Sequence, residues 1–593
     1  MFQLPLLSTA TSSSCDSPSY DYVIIGGGTA GLVLANRLSA DPNTTVAVIE
    51  AGSSVYNNSN VTSVLGAFTS LGSEIDYAYQ SAPQKYTYNR TLTYDAGKAL
   101  GGTSTINGMT YVRAEKDQID DWETLGNEGW NWEGLWPYYL KQEKFQRPAD
   151  EEVEKGATFV EGYHDYNGEV GVGWTHYLTG QNMSSILRNA STAAGYPFNE
   201  DPNGGYMKGF STWPMMVDVE EVVRSDSARA YYYPIAQGRK NLHVFLNTTA
   251  TKILWKDSEE TQNNNGEVEA KGVQVITATN TTETIHANKE VILSAGSIRS
   301  PALLEHSGIG NPAILFPLNI PVVVDLPSVG ANLQDQPNIL MSYSSPTNWT
   351  GYPNFVHYLT ASDLFTTSLP SIRSAVYANI SAYATQITAD QPPNSTTASL
   401  QTRLLTLQAD LIFKPNSTVP LAELIWFPLG PAISTAFWNL LPFSRGSIHI
   451  ASPNPLIPPT INPNLFQTPI DTLIQSAAAA KLRKLFATPP LAAHVTAELA
   501  PNSSTVPVGT PWEGEAWARW VKGAYNTNNH PVGTCAMMGR ELGGVVDARG
   551  KVYGVGNVRV VDASVVPMQT SGHLTSTVYA VAEKIAVGIL GGE

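Results

Sequence analysis

The sequence predicts an α/β protein with a Rossmann-like nucleotide-binding domain built from discontinuous segments, joined to an α+β domain with a large sheet. Three observations support this prediction. An apolar strand near the N-terminus runs into a glycine-rich turn, and apolar strands return near residues 245–295 and 558–561. The chain has 593 residues, which exceeds what one compact core accommodates.

The first segment has the order strand, glycine-rich turn, helix, strand and acid. The strand Tyr22–Ile25 precedes a GxGxxG turn, and a second strand, Val46–Ile49, ends at Glu50. The glycines allow backbone to approach a pyrophosphate closely, and the helix N-terminus favours its negative charge. An acid at this distance accepts hydrogen bonds from an adenosine ribose. A GxGxxG alone also occurs in ordinary glycine-rich turns, but this context favours a dinucleotide site. The predicted contacts are Gly26, Gly28, Thr29, Ala30, Gly31, Glu50 and Ala51.

Later segments are predicted to return to the same sheet. Strand-like runs occupy Val244–Trp255, Lys271–Ala278 and Glu290–Ala295, with a polar turn at 262–266. A short strand at Val558–Val561 precedes a helix at Thr575–Leu590 with apolar residues at helical spacing. We therefore assign 20–115, 240–321 and 530–593 to the nucleotide domain. The substrate-binding domain is assigned to 116–239 and 322–529, and 1–19 is expected to be a loose tail.

Composition excludes several classes of function. A net charge of −16 disfavours binding to nucleic acid. The uncharged stretch Leu424–Ser444 contains Pro428, Pro431 and Pro442, so we expect buried core rather than a membrane span. HExxH, CxxC and GxSxG motifs are absent from the sequence, so neither a metal site nor a serine hydrolase is predicted.

Glycosylation motifs favour a secreted glycoprotein, although the first 19 residues lack a basic signal-peptide start. The two cysteines, Cys15 and Cys535, do not indicate a disulfide framework. Asn-X-Ser/Thr begins at Asn43, Asn57, Asn60, Asn89, Asn182, Asn189, Asn247, Asn280, Asn348, Asn379, Asn394, Asn416 and Asn502.

Four further motifs carry a family resemblance. The small-residue run Gly97–Met109 by itself is also compatible with a structural loop. Together with Gly296–Gly310, Asn529–Thr534 and Gly572–Thr577, it resembles the signatures of the glucose–methanol–choline oxidoreductases. The likeness extends from Tyr20 to Leu590 and is strongest to fungal FAD-dependent glucose dehydrogenases, with glucose oxidases slightly further away.

The resemblance implies oxidation of a CH–OH group by hydride transfer to flavin N5. His530 is expected to be the base, since a neutral imidazole accepts a proton near neutral pH. His573 is expected to hydrogen-bond the same hydroxyl and stabilise the developing alkoxide. Each of the ten histidines, taken without this context, is more typical of a structural residue.

The resemblance also implies FAD contacts beyond the first turn. Ile106 stands where some members carry a histidine linked to FAD, so non-covalent FAD is expected. The remaining implied contacts are Thr103, Asn107, Gly108, Met109 and Thr110 along the flavin, Ala250 at the adenine, Asp562 and Ala563 near the pyrophosphate, and Thr575 and Ser576 at the pyrimidine end.

The implied substrate contacts are Glu423, Asn526 and Asn528. Glucose-specific members have an arginine at the position of Asn526, and many glucose dehydrogenases have a tyrosine at that of Ala67. An asparagine offers fewer donors to sugar hydroxyls than an arginine.

The leading expectation is a glucose or aldose dehydrogenase that oxidises C1 to the lactone, with a dehydrogenase favoured over an oxidase. The alternative is an oxidase or dehydrogenase of an aromatic or secondary-metabolite alcohol, and a lyase on the same fold is a third. The expected partners are an alcohol or sugar and a quinone, dye or oxygen as acceptor, without a membrane. Either a monomer or a homodimer is expected.

Overall fold

The computed structural model describes residues 18–257 and 267–592. The predicted tail before Pro18, with Cys15, and the whole polar turn 262–266 lie outside these residues. Within the two described ranges, no helix combines the length and apolar character that a membrane crossing requires.

The strands are spread along the whole chain. They are β1 Ser19–Ile25, β2 Val46–Ile49, β3 Tyr79–Gln80, β4 Thr93–Tyr94, β5 Glu143–Phe145, β6 Val170–Gly173, β7 Gly209–Thr212, β8 Met215–Asp218, β9 Val223–Arg224, β10 Leu242–Phe245, β11 Thr249–Trp255, β12 Ala270–Ile276, β13 Thr282–Leu293, β14 Ile309–Gly310, β15 Val324–Asp325, β16 Pro337–Trp349, β17 Phe355–Thr360, β18 Pro420–Asn439, β19 Ser447–His449, β20 Thr460–Asn462, β21 Glu498–Ala500, β22 Asn526–Thr527 and β23 Val558–Val560.

The α-helices lie between these strands and at the C-terminal end. They are α1 Thr29–Leu38, α2 Ser59–Thr62, α3 Lys116–Thr124, α4 Trp132–Gln142, α5 Asp150–Glu154, α6 Met183–Ala193, α7 Gly296–His306, α8 Pro312–Leu315, α9 Ala361–Phe365, α10 Leu369–Ala389, α11 Ala398–Phe413, α12 Pro469–Phe486, α13 Glu515–Ala524 and α14 Thr575–Gly591.

The first sheet has the order β10-β2-β1-β13-β12-β11, with β23 paired to β13. Its β10, β2, β1, β13 and β23 run parallel, whereas β11, β12 and β13 form an antiparallel meander. Strands β1 and β2 are buried along most of their length, as expected for a parallel sheet covered by helices. Helices α1 and α14 pack against each other in the same core.

The second sheet has the order β21-β16-β18-β17-β7, with β22 paired to β16, and its pairs are antiparallel. Its central strand β18 is the apolar, proline-containing stretch expected to form buried core. Helix α12 packs against this strand. A separate, smaller sheet has four strands in the order β5-β6-β8-β9. Two large sheets of different type agree with the predicted mixed α/β class, and the exact domain boundaries stay a prediction.

Candidate active site

A cavity of about 440 Å³ lies between the two large sheets. One wall is formed where β1, β2, β13 and β23 end, at Ile25, Ile49, Ser294 and Asp562. The opposite wall comes from the second sheet, through side chains of β16 and β18. Ligands of open α/β sheets bind at this edge, outside the carboxyl ends of the parallel strands.

Glycines bring backbone segments into contact beside the cavity. A Cβ on Gly102 would lie 2.7 Å from Cα of Gly28, so the GxGxxG turn and the second glycine-rich loop touch directly. A Cβ on Gly31 would lie 2.0 Å from the carbonyl oxygen of Gly26. Gly31 therefore allows α1 to pack tightly against the turn, and it does not line the cavity.

The glycine-lined end suits a dinucleotide. Gly28 and Gly296, at the N-termini of α1 and α7, line the cavity, and such termini favour phosphate. The Glu50 carboxylate accepts hydrogen bonds from the backbone N–H of Gly27 at 2.9 Å and of Gly52 at 2.7 Å. Burial raises the pKa of Glu50 to about 7, although these N–H groups oppose the shift.

Two buried hydroxyls on the wall also lack a protein partner. Tyr79 and Ser297 line the cavity, and their buried hydroxyls have no hydrogen-bond partner among the described residues.

Most of the predicted cofactor contacts meet in this cavity. Ser576 does not line it, because its hydroxyl donates to the carbonyl oxygen of Val112. Asp562 does line it, but its carboxylate accepts from Gly296, Ser300 and Ser564 and so builds the wall. The predicted residues on the wall are Gly26, Gly28, Thr29, Ala30, Glu50, Ala51, Thr103, Asn107, Gly108, Met109, Thr110, Ala250, Asp562, Ala563 and Thr575.

His530 and His573 face each other on the wall. Their ring centroids are 5.0 Å apart and the rings are nearly perpendicular, at 85°. The rings of Trp213 and Trp438 are steeply inclined to that of His573, at 77° and 87°, with centroid distances of 5.4 Å and 5.9 Å. Nε2 of His573 lies 3.3 Å from Oε1 of the buried Glu423, although the pair is not aligned as a hydrogen bond.

Gln336 fixes the tautomer of His530. The Gln336 amide nitrogen donates to the carbonyl oxygens of Leu440 at 3.0 Å and Thr570 at 3.3 Å, so Oε1 must face the other way. That oxygen lies 2.8 Å from Nδ1 of His530. Because an amide oxygen only accepts, Nδ1 carries the proton and Nε2 keeps its lone pair. The amide nitrogen of Asn528 lies 3.0 Å from Nδ1, but a protonated Nδ1 cannot accept from it, so in this tautomer it donates to Oε1 of Gln336 at 3.3 Å.

The backbone of His530 is also fixed by hydrogen bonds. Asp335 accepts from the N–H of His530 at 3.0 Å, and Gln569 donates to its carbonyl oxygen at 2.9 Å. Burial, and secondarily the neighbouring His573, lowers the pKa of His530 well below its usual range. The ring is therefore neutral at neutral pH, which is the form a general base requires.

Comparison with known proteins identifies the family to which the chain belongs. Models of the N- and C-terminal parts of GMC oxidoreductases match residues 20–338 and 442–582. The chain belongs to the GMC oxidoreductase family. The glucose oxidase-like protein fsoC of Humicola fuscoatra is 41% identical over 572 residues, which cover 96% of this chain and 95% of the relative. The glucose oxidase of Aspergillus carbonarius is 35% identical, with 96% and 92% covered.

Solved structures show the same fold. An FAD-dependent oxidoreductase from Chaetomium thermophilum, in complex with a fragment, has a TM-score of 0.86 at 30% identity, with 97% of this chain and 99% of that chain covered. A fungal aryl-alcohol oxidase has a TM-score of 0.84 at 26% identity, with the same coverage. The GMC fold is thus confirmed, and these relatives imply FAD as the cofactor. The glycine contacts and the helix N-termini at the cavity fit it.

Of the three predicted substrate contacts, only one lines the cavity. Asn528 lines the cavity beside His530. Glu423 is completely buried behind His573 and does not reach the wall. Asn526 lies on β22 with its side chain exposed and outside the lining. Neither residue lines the cavity, and Glu423 instead lies 3.3 Å from Nε2 of His573.

Sequence reasoning missed two groups of residues. The aromatic wall consists of Phe68, Trp213, Tyr352, Phe427 and Trp438, which come from distant parts of the chain. The polar run Gln334–Gln336, just before an apolar strand, was a local signal for the residues that hold His530. The position aligned with the family tyrosine, Ala67, is not on the wall, whereas its neighbour Phe68 is.

Proposed function

We propose that this GMC protein oxidises an alcohol whose carbinol carbon is attached to an aromatic group. Nε2 of His530 accepts the hydroxyl proton while a hydride leaves the same carbon, so the alcohol becomes a carbonyl compound. Bound FAD would supply the acceptor for that hydride. His573 lies beside the reacting oxygen and stabilises its developing negative charge.

The protein's own residues prepare this step before substrate arrives. Gln336 keeps the proton on Nδ1 of His530, and burial keeps the ring neutral. Glu423 lies against His573 and limits its orientation. A base that is already aligned and unprotonated typically contributes about 10²–10⁴-fold in rate.

The aromatic wall is the observation that supports the substrate class. Trp213 and Trp438 make T-shaped contacts with His573, and the ring of Phe68 lies next to Gly108, where an added Cβ would meet it at 2.8 Å. Such a wall packs against a flat apolar ring and gives few partners to sugar hydroxyls. The Chaetomium relative is described with a fragment that carries pyridine and thiophene rings, and another neighbour is an aryl-alcohol oxidase.

Oxidation of an aldose at C1 is the second candidate, because several relatives are glucose oxidases by name. The two candidates separate in a substrate panel with FAD-loaded protein. We expect kcat/KM for benzyl and methoxybenzyl alcohols to exceed that for glucose by at least about 100-fold, since each lost hydrogen bond to a polar substrate costs roughly 0.5–1.5 kcal/mol. A higher kcat/KM for glucose would reject the aromatic substrate.

Oxygen and a quinone are the two candidate electron acceptors. The expected preference for a dehydrogenase gains no support from the two relatives named above, which are called a glucose oxidase-like protein and a glucose oxidase. We propose oxygen as an acceptor, and hydrogen peroxide produced in step with the aldehyde tests this. Turnover with a quinone in air, without peroxide, would instead establish a dehydrogenase.

We propose that the FAD is held without a covalent bond. Ile106 lines the cavity, and its side chain has no nucleophilic atom that could bond to a flavin. Denaturation with acid should release all flavin into the supernatant. Flavin that stays with the precipitated protein would contradict the proposal.

We also propose that the protein is a secreted glycoprotein. Every asparagine of the thirteen glycosylation motifs is exposed, whereas the buried asparagines, such as Asn36, Asn127 and Asn439, all lie outside these motifs. Protein secreted by a fungal host should lose mass on treatment with a glycan-removing endoglycosidase. An unchanged mass would contradict glycosylation.

A further inference from the structure

Arg224 is a buried cation next to the cofactor end of the cavity. Its side chain is only 1% exposed. Nε donates to the carbonyl oxygen of Val61 at 2.8 Å, and Nη1 donates to the carbonyl oxygen and Oδ1 of Asn107 at 2.7 Å and 2.8 Å. These acceptors are neutral. Burial of a cation costs several kcal/mol unless an opposite charge compensates it.

No carboxylate among the described residues is hydrogen-bonded to Arg224. The nearby Asp226 attracts it only at longer range. That carboxylate accepts the backbone N–H of Ala228 and Arg229 and lies 3.8 Å from the Arg229 guanidinium. By contrast, the buried Arg113 forms an ion pair with Glu143 at 2.8 Å. The positive charge of Arg224 is therefore not neutralised by a hydrogen-bonded carboxylate, and it can act on a ligand in the neighbouring cavity.

The lack of a carboxylate partner does not by itself distinguish Arg224, because the buried Arg445 also has no hydrogen-bonded carboxylate among the described residues. The Arg445 guanidinium donates to the carbonyl oxygens of Pro442 and Ser444 and to Oε1 of Gln408, all in the protein interior. Neither Arg445 nor these acceptors line the cavity. Arg224 differs because its acceptor Asn107 is on the cavity wall.

Asn107 links the guanidinium to the reaction centre. Its Oδ1 accepts from Arg224 and from the N–H of Met109 at 3.0 Å, so its amide nitrogen is turned toward Thr575 at 3.3 Å. Thr575 is two residues after His573, and both line the cavity. Arg224 thus acts on this wall in two ways, through the orientation of Asn107 and through its positive charge.

We propose that Arg224 is a positioning residue that orients Asn107 and supplies the fixed positive charge that raises the reduction potential of the bound FAD. Reduction adds negative charge to the cofactor, and a cation held in a low-dielectric interior stabilises that state more than the oxidised one. This inference rests on FAD binding and on the proposed alcohol oxidation, because a higher potential favours removal of hydride from an alcohol.

The test compares Arg224→Gln and Arg224→Lys with the control Arg445→Gln, all loaded with FAD. The readouts are the midpoint potential and the dissociation constant for sulfite, which adds to oxidised flavin as an anion. We expect Arg224→Gln to lower the potential and to weaken sulfite binding at least about tenfold, equal to about 1.4 kcal/mol. Arg224→Lys, which keeps the charge, and Arg445→Gln should stay within about threefold of the unmodified protein.

Two results would overturn the proposal. One is an unchanged potential and sulfite affinity in Arg224→Gln. The other is an equal loss in the glutamine and lysine variants, which would assign the effect to the shape of the guanidinium. If Arg224→Gln does not retain FAD, Arg224→Lys decides alone, and a loss of sulfite affinity above about tenfold contradicts the role of charge. Neither readout needs an alcohol, so failure of the proposed function is detected separately, by unmodified protein that binds FAD and sulfite without oxidising alcohols.

Discussion

Gln336→Glu tests how the protein sets the protonation of its base. The substitution replaces the amide oxygen 2.8 Å from Nδ1 of His530 with a carboxylate oxygen of nearly the same size. A negative charge stabilises the imidazolium, so the pKa of His530 should rise from its lowered value. The acid limb of the kcat/KM profile should then move to higher pH, because the base is lost as pH falls through that pKa.

The size of the shift follows from the geometry. Two unit charges about 4 Å apart interact by about 4 kcal/mol at an effective dielectric constant of about 20, and one pKa unit corresponds to about 1.36 kcal/mol. The upper limit is therefore about three units. Because the new carboxylate is itself buried, part of this energy is lost to desolvation, and we expect a shift of about one to two units.

The assay is kcat/KM against pH for an aryl alcohol, with Gln475→Glu as the matched control. The Gln475 amide nitrogen also donates to two carbonyl oxygens, of Pro337 at 3.2 Å and Phe437 at 3.1 Å, so this variant loses comparable hydrogen bonds. Gln475 contacts neither histidine of the site, and its acid limb should stay in place. A Gln336→Glu variant that keeps FAD and has an unshifted acid limb would refute the assignment of the tautomer.

Three other changes have defined outcomes. Glu423→Gln removes the charge 3.3 Å from Nε2 of His573 and should lower kcat by about 10- to 100-fold with FAD retained; a kcat equal to that of the unmodified protein contradicts the role of Glu423. Burial alone would lower the pKa of His164, but its hydrogen bonds, including one to Asp201 at 2.7 Å, outweigh burial and raise it. The protonated ring thus contributes its full stabilisation below the unfolded pKa of about 6.5, and this stabilisation is lost as pH rises through the folded pKa. The difference in Tm between the unmodified protein and His164→Gln should therefore shrink in alkaline buffer. A difference in Tm that stays constant with pH would contradict this. Asn526→Arg should change glucose kcat/KM by less than about twofold, because the side chain lies outside the cavity; a tenfold gain would show that it reaches the substrate.

Local patterns were enough to predict the parts of the fold that depend on sequence neighbours. The turn Gly26–Gly31, the strand at Val558 and the C-terminal helix follow from periodicity and glycine spacing, and the helix is observed at Thr575–Gly591. The run Val244–Trp255 was predicted as one strand but forms two, β10 and β11. The break falls at 246–248, where Asn247 has a positive φ of 50°, a conformation that asparagine tolerates better than most residues.

The site was predictable only in part, because its supporting contacts join residues far apart in sequence. His530 and His573 were predicted from motifs and do line one cavity, but the neighbour of the first is Gln336 and that of the second is Glu423, each more than a hundred positions away. Spacing carries no signal for such contacts. Asn526 shows a further limit of sequence reasoning: alignment with a family position does not establish that a side chain lines the cavity, and its contact with a substrate stays a prediction.

Anaerobic mixing of FAD-loaded protein with a methoxybenzyl alcohol tests the central claim most directly. The account predicts that the flavin absorbance bleaches in one turnover, that deuterium at the carbinol carbon slows the bleaching, and that His530→Ala slows it by about 10²–10⁴-fold without loss of FAD. Glucose at the same concentration should bleach the flavin far more slowly. Bleaching by glucose but not by the aryl alcohol, or a normal rate in His530→Ala, would contradict the account.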